Sequence, residues 1–168
     1  MAHHTANTIK VNLSAAQVWK VLDDFASVEK FATTITSSPI IGDISKGLGA
    51  KRRCTFKDGS SLVEEIIDYN EGQGYTMTLS DHTLPLKSMQ AKMSVKTIDA
   101  NRCEISMEAD FVVKGGPLGW LMGALLMRPV MKGVFKKVMT GLAYHVETGE
   151  LIGEKLPNND QLNKLILN

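Results

Sequence analysis

AKRRCTFKDGSSLVEEIIDYNEGQGYTMTLSDHTLPLKSMQAKMSVKTIDANRCEISMEADFVV, residues 50–113, decides the fold. Asp58-Gly59, Asn70-Glu71-Gly72 and Asp99-Ala100-Asn101 carry turn chemistry, and the intervening runs fall at 50–57, 61–69, 74–81, 86–98 and 102–113. Apolar-rich runs of this length between such turns read as successive antiparallel strands. In the last run Cys103, Ile105, Met107, Ala109 and Phe111 alternate with Glu104, Ser106, Glu108 and Asp110. A period of two gives one buried and one wetted face, so this five-strand meander needs a covering layer.

The flanks supply it. Upstream, Ile9, Val11 and Leu13 alternate with polar residues over 8–13, a first strand, and Ser14 caps a short helix over 15–23 with Val18, Trp19, Val21 and Leu22 on its apolar face. A second helical piece over 27–32 carries Val28 and Phe31, and Pro39 makes 35–44 an edge or bulged strand. The N-terminal stretch, residues 1–14, is polar and lacks a signal-peptide core, and His3 and His4 are expected to lie outside the ordered fold. Downstream, Gly115-Gly116-Pro117 ends the sheet and 118–149 reads as one helix, kinked or interrupted at Pro129 and roughly 45 Å long if continuous. Met131, Val134, Phe135, Val138, Leu142 and Val146 recur at spacings of three and four, one buried stripe. The apolar start of that helix is short of the ~20 residues a membrane span needs and carries Arg128 and Pro129, which favours an interfacial helix over a span. Residues 1–153 are thus expected to form the domain, and 154–168 a tail that is either loose or docked.

Composition narrows the function classes. At 168 residues, 43% apolar and 22% charged, the chain suits one domain with a sizeable core. A net charge of +1 lacks the basic excess of a nucleic-acid footprint, so no nucleic-acid partner is expected. Cys54 and Cys103 form no CxxC or Cys/His cluster, which argues against a disulfide framework or zinc site and makes the cytoplasm the expected compartment. Neither a phosphate-cradling glycine loop nor Ser/His/Asp or metal-ligand spacing is legible, so no cofactor, metal or catalytic set is expected.

The order strand, two small helices, meander, long helix, with the phrases GLGAKRRCTFKDGSSLVEEIIDYNEG, YTMTLSDHTLPLKSMQAKMSV and NRCEISMEADF, resembles the START-like superfamily. Within it the chain is most similar to the bacterial polyketide cyclase/dehydrase-like proteins and their plant relatives, the abscisic-acid receptors and pollen-allergen-type binders. The resemblance implies an α+β helix-grip fold, in which a curved antiparallel sheet of about seven strands grips the C-terminal helix over an apolar pocket. It also implies a hydrophobic small-molecule ligand, such as a lipid, quinone or polyketide, with a minority of members being enzymes. Departures stand beside it. No counterpart of the receptors' Ser-Gly-Leu-Pro-Ala gate lies between Lys57 and Ser61, their pocket lysine is missing near Thr34 to Ser38, and Met89 replaces the usual aromatic after Leu84-Pro85. A gated hormone sensor is not expected.

Strand alternation assigns the concave face to Tyr75, Met77 and Leu79, then Met89, Ala91, Met93 and Val95, then Ile105, Met107 and Phe111. The helix closes it with Met131, Phe135, Val138, Met139 and Leu142. Four strand methionines facing a methionine-bearing helix suit an adaptable apolar cavity, because thioether side chains repack around different shapes, and they equally suit an ordinary core. Glu64 is the polar candidate, aligned by resemblance with the family's recurrent glutamate on this strand, which in the hormone receptors points into the pocket and bonds ligand through water. If Asp58-Gly59 sit in a three-residue bulged loop, Glu64 faces Arg52 beside Cys54, Leu62 and Ile66, and the pair orients a polar ligand group. A two-residue loop shifts the register by one and brings Glu65 opposite Arg52 instead. A solvent-facing ion pair worth ~0–1 kcal/mol is the plain alternative. Glu64→Gln is expected to weaken a polar-headed ligand and spare folding.

Acid/base chemistry would draw on Glu64, Asp68, Tyr75, His82 and His145, and requires Glu64 to meet a His or Tyr across the pocket. Three classes therefore stand open. They are a carrier of an apolar small molecule, a cyclase/dehydratase-like enzyme, and a peripheral membrane or protein-interaction module using Trp120, Leu121, Met122, Leu125, Leu126 and Met127, as a monomer or homodimer.

Overall fold

Ser14 starts the first helix by a reciprocal pair of bonds: its hydroxyl accepts from the Gln17 N–H and the Gln17 side chain accepts from the Ser14 N–H. This capped helix α1, Ala15–Leu22, follows strand β1, His3–Val11, and precedes a 3-10 segment, Phe25–Lys30. The computed structural model describes residues 2–167. Strands β2 (Ile35–Ser37), β3 (Lys51–Phe56), β4 (Ser61–Asn70), β5 (Gly74–Ser80), β6 (Leu86–Asp99) and β7 (Arg102–Val113) come next. A helix from Gly116 to Thr148 then runs as α2, Gly116–Met122, a π-helical stretch, Gly123–Met127, and α3, Arg128–Thr148. A short helix α4, Asn159–Leu162, and strand β8, Ile166–Leu167, end the described chain.

All strand pairings are antiparallel, in the order β2-β3-β4-β5-β6-β7-β1-β8. This is the α+β helix-grip arrangement, with eight strands rather than about seven. The added strand comes from the tail: Ile166 pairs with Val11, the Asn12 N–H donates to the Leu165 carbonyl at 2.9 Å, and Leu165 is buried. The far edge is shorter than expected. Beyond Ser37 only an isolated bridge, Ile40 to Arg52, continues the pairing, because Pro39 has no N–H to donate and Ser38 turns inward to bond the Ala26 carbonyl.

The first strand begins at His3, not at residue 8, and His3 is buried between Phe111 and Trp120, with ring centroids at 5.2 and 5.7 Å. Both His3 and His4, the latter on the outer face with Nδ1 3.0 Å from Asp110 Oδ1, belong to the strand, which corrects the expectation that they lie outside the fold. His3, Thr5, Ile9 and Val11 share the inward alternation, which the polar side chains at the strand's start conceal. Pro129 does not break the long helix. It sits in the first turn of α3 directly after the π stretch, whose wider turn accommodates a ring that cannot donate back to the Leu125 carbonyl.

Candidate functional site

The hairpin joining β3 and β4 fixes the polar end of the interior. The Phe56 N–H donates to the Ser60 carbonyl at 2.8 Å, closing a three-residue loop whose Gly59 takes φ +82, a left-handed conformation that glycine adopts without strain. Arg52 therefore pairs across with Glu64, and Glu65 faces Lys51 instead. Arg52 and Glu64 are 3% and 9% exposed, so the pair lies inside the sheet's covered face and not in solvent.

The pair is tightly held. Arg52 Nε and Nη2 each approach Glu64 Oε2 at 2.6 Å, Nη1 donates to the Phe25 carbonyl at 2.6 Å, and the guanidinium carbon sits 4.1 Å from the Phe25 ring centroid. The Cys54 thiol also donates to Glu64 Oε2, at 3.4 Å. Among the described residues, the hydrogen bonds to the carboxylate all fall on this one oxygen. Burial is the largest single influence on the Arg52 guanidinium and works to lower it, but the charge and hydrogen bond of Glu64, with Tyr75 and Cys54 adding to them, together outweigh it and hold the group above its ordinary value, fully charged. Burial, with Glu64 adding to it, pushes the Cys54 thiol well above the usual thiol range. Burial also lifts the Tyr75 hydroxyl to about 12, with Arg52 pulling the other way.

From this polar end the inward residues run in rows across the sheet. Ile66, Met77, Ala91, Ala109 and Thr5 are successive cross-strand partners, as are Tyr75, Met93, Met107 and Asn7, and Met89, Phe111 and His3. Phe135, Val138, Met139 and Leu142 of α3 are buried against the same core. The apolar candidates all belong to this one cluster, with Leu79, Met107 and Met131 at its half-buried margin. Two clefts open elsewhere: one of about 380 Å³ between α1, the 3-10 segment and the end of α3, and one of about 520 Å³ between α3 and the tail. Neither is lined by any of the apolar candidates, by Arg52 or by Glu64.

Two inward residues escaped the sequence reading. Thr5 Oγ1 and His3 Nε2 are buried without a hydrogen-bond partner, two residues apart on β1. Extending the alternation of Ile9 and Val11 back to residue 3 is the signal that finds them.

The acid/base candidates do not assemble. The Tyr75 hydroxyl points to Met93 Sδ at 3.8 Å, His145 lines the outer cleft near α1 with Nδ1 at 2.7 Å from the Glu150 carbonyl, and Asp68 is exposed. His82 is half-buried in the β5–β6 loop beside Asp81, which takes φ +50. Among the described residues, Glu64 bonds Arg52 and Cys54, and no three His, Cys, Asp or Glu side chains gather as a metal site requires.

Comparison with known proteins agrees with this architecture. The family model described as "Polyketide cyclase / dehydrase and lipid transport" matches residues 2–147. Among solved structures, the protein XoxI from Bacillus cereus superposes with a TM-score of 0.71 at 18% identity, covering 86% of this chain and 96% of that one. The ZhuI aromatase/cyclase from a Streptomyces species gives 0.68 at 15% identity, covering 90% and 100%. A point mutant of norcoclaurine synthase from Thalictrum flavum gives 0.62 at 17% identity, covering 83% and 95%. At these identities the structures speak to the fold alone. A search of curated protein sequences finds no match.

Proposed function

The chain belongs to the polyketide cyclase/dehydrase and lipid transport family, and on that basis we propose that it binds a hydrophobic small molecule carrying one polar group between its sheet and its long helix. The observation that carries this reading is the Arg52–Glu64 pair, buried at one end of a methionine-rich apolar interior. A buried ion pair is a poor device for stability, since removing two charges from water offsets most of their attraction. It is a good device for orienting a ligand's polar head. Glu64 Oε1 is used by none of the contacts to Arg52 and Cys54, and accepts from a ligand hydroxyl or a bridging water in this reading.

The apolar body of the ligand lies against Ile66, Tyr75, Met77, Leu79, Met89, Ala91, Met93, Met107 and Phe111 of the sheet, and Phe135, Val138, Met139 and Leu142 of the helix. Thr5 and His3 offer a second, weaker polar anchor at the opposite edge. Admission requires the core to repack, which unbranched thioethers do at low cost. Lipids, quinones and polyketide-like molecules all meet this description.

Mass spectrometry of organic extracts from the purified protein, beside native mass spectrometry of the intact chain, tests the proposal. One equivalent of an apolar molecule with a single polar head, retained by wild type and lost from Arg52→Met/Glu64→Leu, is the expected result. Equal retention by both proteins would remove the pair from the site.

A further inference from the structure

The long helix begins outside the core. From 116 to 134 its buried residues are Gly119 and Gly123, while Leu118, Leu121 and Leu125 recur at spacings of three and four on the opposite line. Leu118 is 80% exposed and Leu125 71%, and Leu126 and Val130 flank them in solvent. By length and composition alone this helix could cross a membrane, and its most apolar 18-residue window is 17% buried, where the core helix of a globular domain would be mostly covered. A contiguous apolar face of this kind marks an interaction surface.

Charge identifies what covers it. Between Asp110 and Glu147 the chain carries Lys114, Arg128, Lys132, Lys136 and Lys137, five of its 19 cations, and none of its 18 acids. Arg128, Lys132 and Lys136 fall four apart, one exposed row directly after the leucines. A second copy seated face to face would set cations against cations with no acid in the segment to offset them. An anionic bilayer presents what this face lacks, an acyl boundary for the leucines and phosphates for the cations. The helix cannot pass through such a bilayer with the fold intact, because Phe135, Val138, Met139 and Leu142 are buried in the core.

We propose that residues 116–137 dock the protein peripherally on an anionic lipid bilayer, with Leu118, Leu121, Leu125 and Leu126 entering the acyl boundary and Arg128, Lys132 and Lys136 meeting the phosphates. This docking is independent of any ligand held in the interior.

Co-sedimentation with phosphatidylcholine vesicles, with and without phosphatidylglycerol, tests it, with the thermal transition checked for every variant. Wild type is expected to bind the phosphatidylglycerol vesicles about tenfold or more tightly than the neutral ones and to weaken with salt. Leu121→Glu/Leu125→Glu and Lys132→Glu/Lys136→Glu, all at exposed positions, are each expected to lose about tenfold or more of that binding while keeping the wild-type transition. Absence of wild-type binding, or equal binding by both folded variants, would overturn the proposal. So would a dimer in analytical ultracentrifugation that the leucine variant abolishes in a protein that ignores vesicles.

Discussion

Arg52 owes its position to a single glycine-bearing loop five residues away. Because Gly59 closes a three-residue loop, the register puts Glu64 opposite the guanidinium, and Phe25 seals it from above by both its carbonyl and its ring. Burial changes what a substitution there does. Arg52→Met leaves a carboxylate buried without its cation and Glu64→Leu strands the cation, so each is expected to cost about 3–5 kcal/mol in urea unfolding. Glu64→Gln, expected from the sequence to spare folding, carries a similar penalty, because the same cation loses its charge partner. The double change Arg52→Met/Glu64→Leu should lie within about 1 kcal/mol of wild type or above it, since similar-sized apolar side chains replace a desolvated pair. A double variant as unstable as the singles would make the pair a scaffold rather than a ligand device. The sequence supplied both residue types and both candidate registers here. The choice between registers rested on the loop's backbone conformation, which Asp58-Gly59 permits but does not dictate.

The helix over 116–148 shows how an element's two halves answer to different physics. Its second half is held by the buried stripe of Phe135, Val138, Met139 and Leu142, legible as a three-and-four spacing. Its first half is held by close backbone approach: a β-carbon on Gly123 would meet His3 Nε2 at 2.4 Å and one on Gly119 would meet the Lys114 carbonyl oxygen at 1.9 Å. Gly123→Ala is expected to destabilise by about 1–3 kcal/mol through overpacking. The effect should shrink in a His3→Ala background, where the ring it collides with is gone, and equal losses in both backgrounds would deny that contact. The meander, α1 and the long helix were legible because apolar period and turn chemistry agree along them. The start of β1 and the docking of β8 were not, because polar side chains such as His3 and Thr5 become inward residues only once Phe111, Ala109 and the helix stand over them. The π stretch was likewise hidden, since Pro129 announces an interruption without specifying its form.

At the scale of the molecule, one helix serves two surfaces, an inner one closing a methionine-rich interior and an outer one carrying leucines and cations into solvent. The fold followed from pattern because a one-sided sheet and an amphipathic helix have few ways to cover each other. The ligand does not follow, because apolar walls separate related molecules by only ~1–3 kcal/mol per methylene. Methionine makes binding in the interior directly observable, because fully buried methyl groups and half-buried ones along the start of the helix report separately. Carbon-13 methyl labelling, with NMR titration by a long-chain fatty acid and by a short-tailed quinone, reads both groups at once. Saturable one-to-one shifts at the buried Met77, Met89, Met93 and Met139 are expected for at least one of the two probes, as binding in the interior requires. Shifts confined to Met122, Met127 and Met131, half-buried where the exposed start of the helix meets the margin of the core, with the interior methyl groups unmoved by either probe, would contradict it.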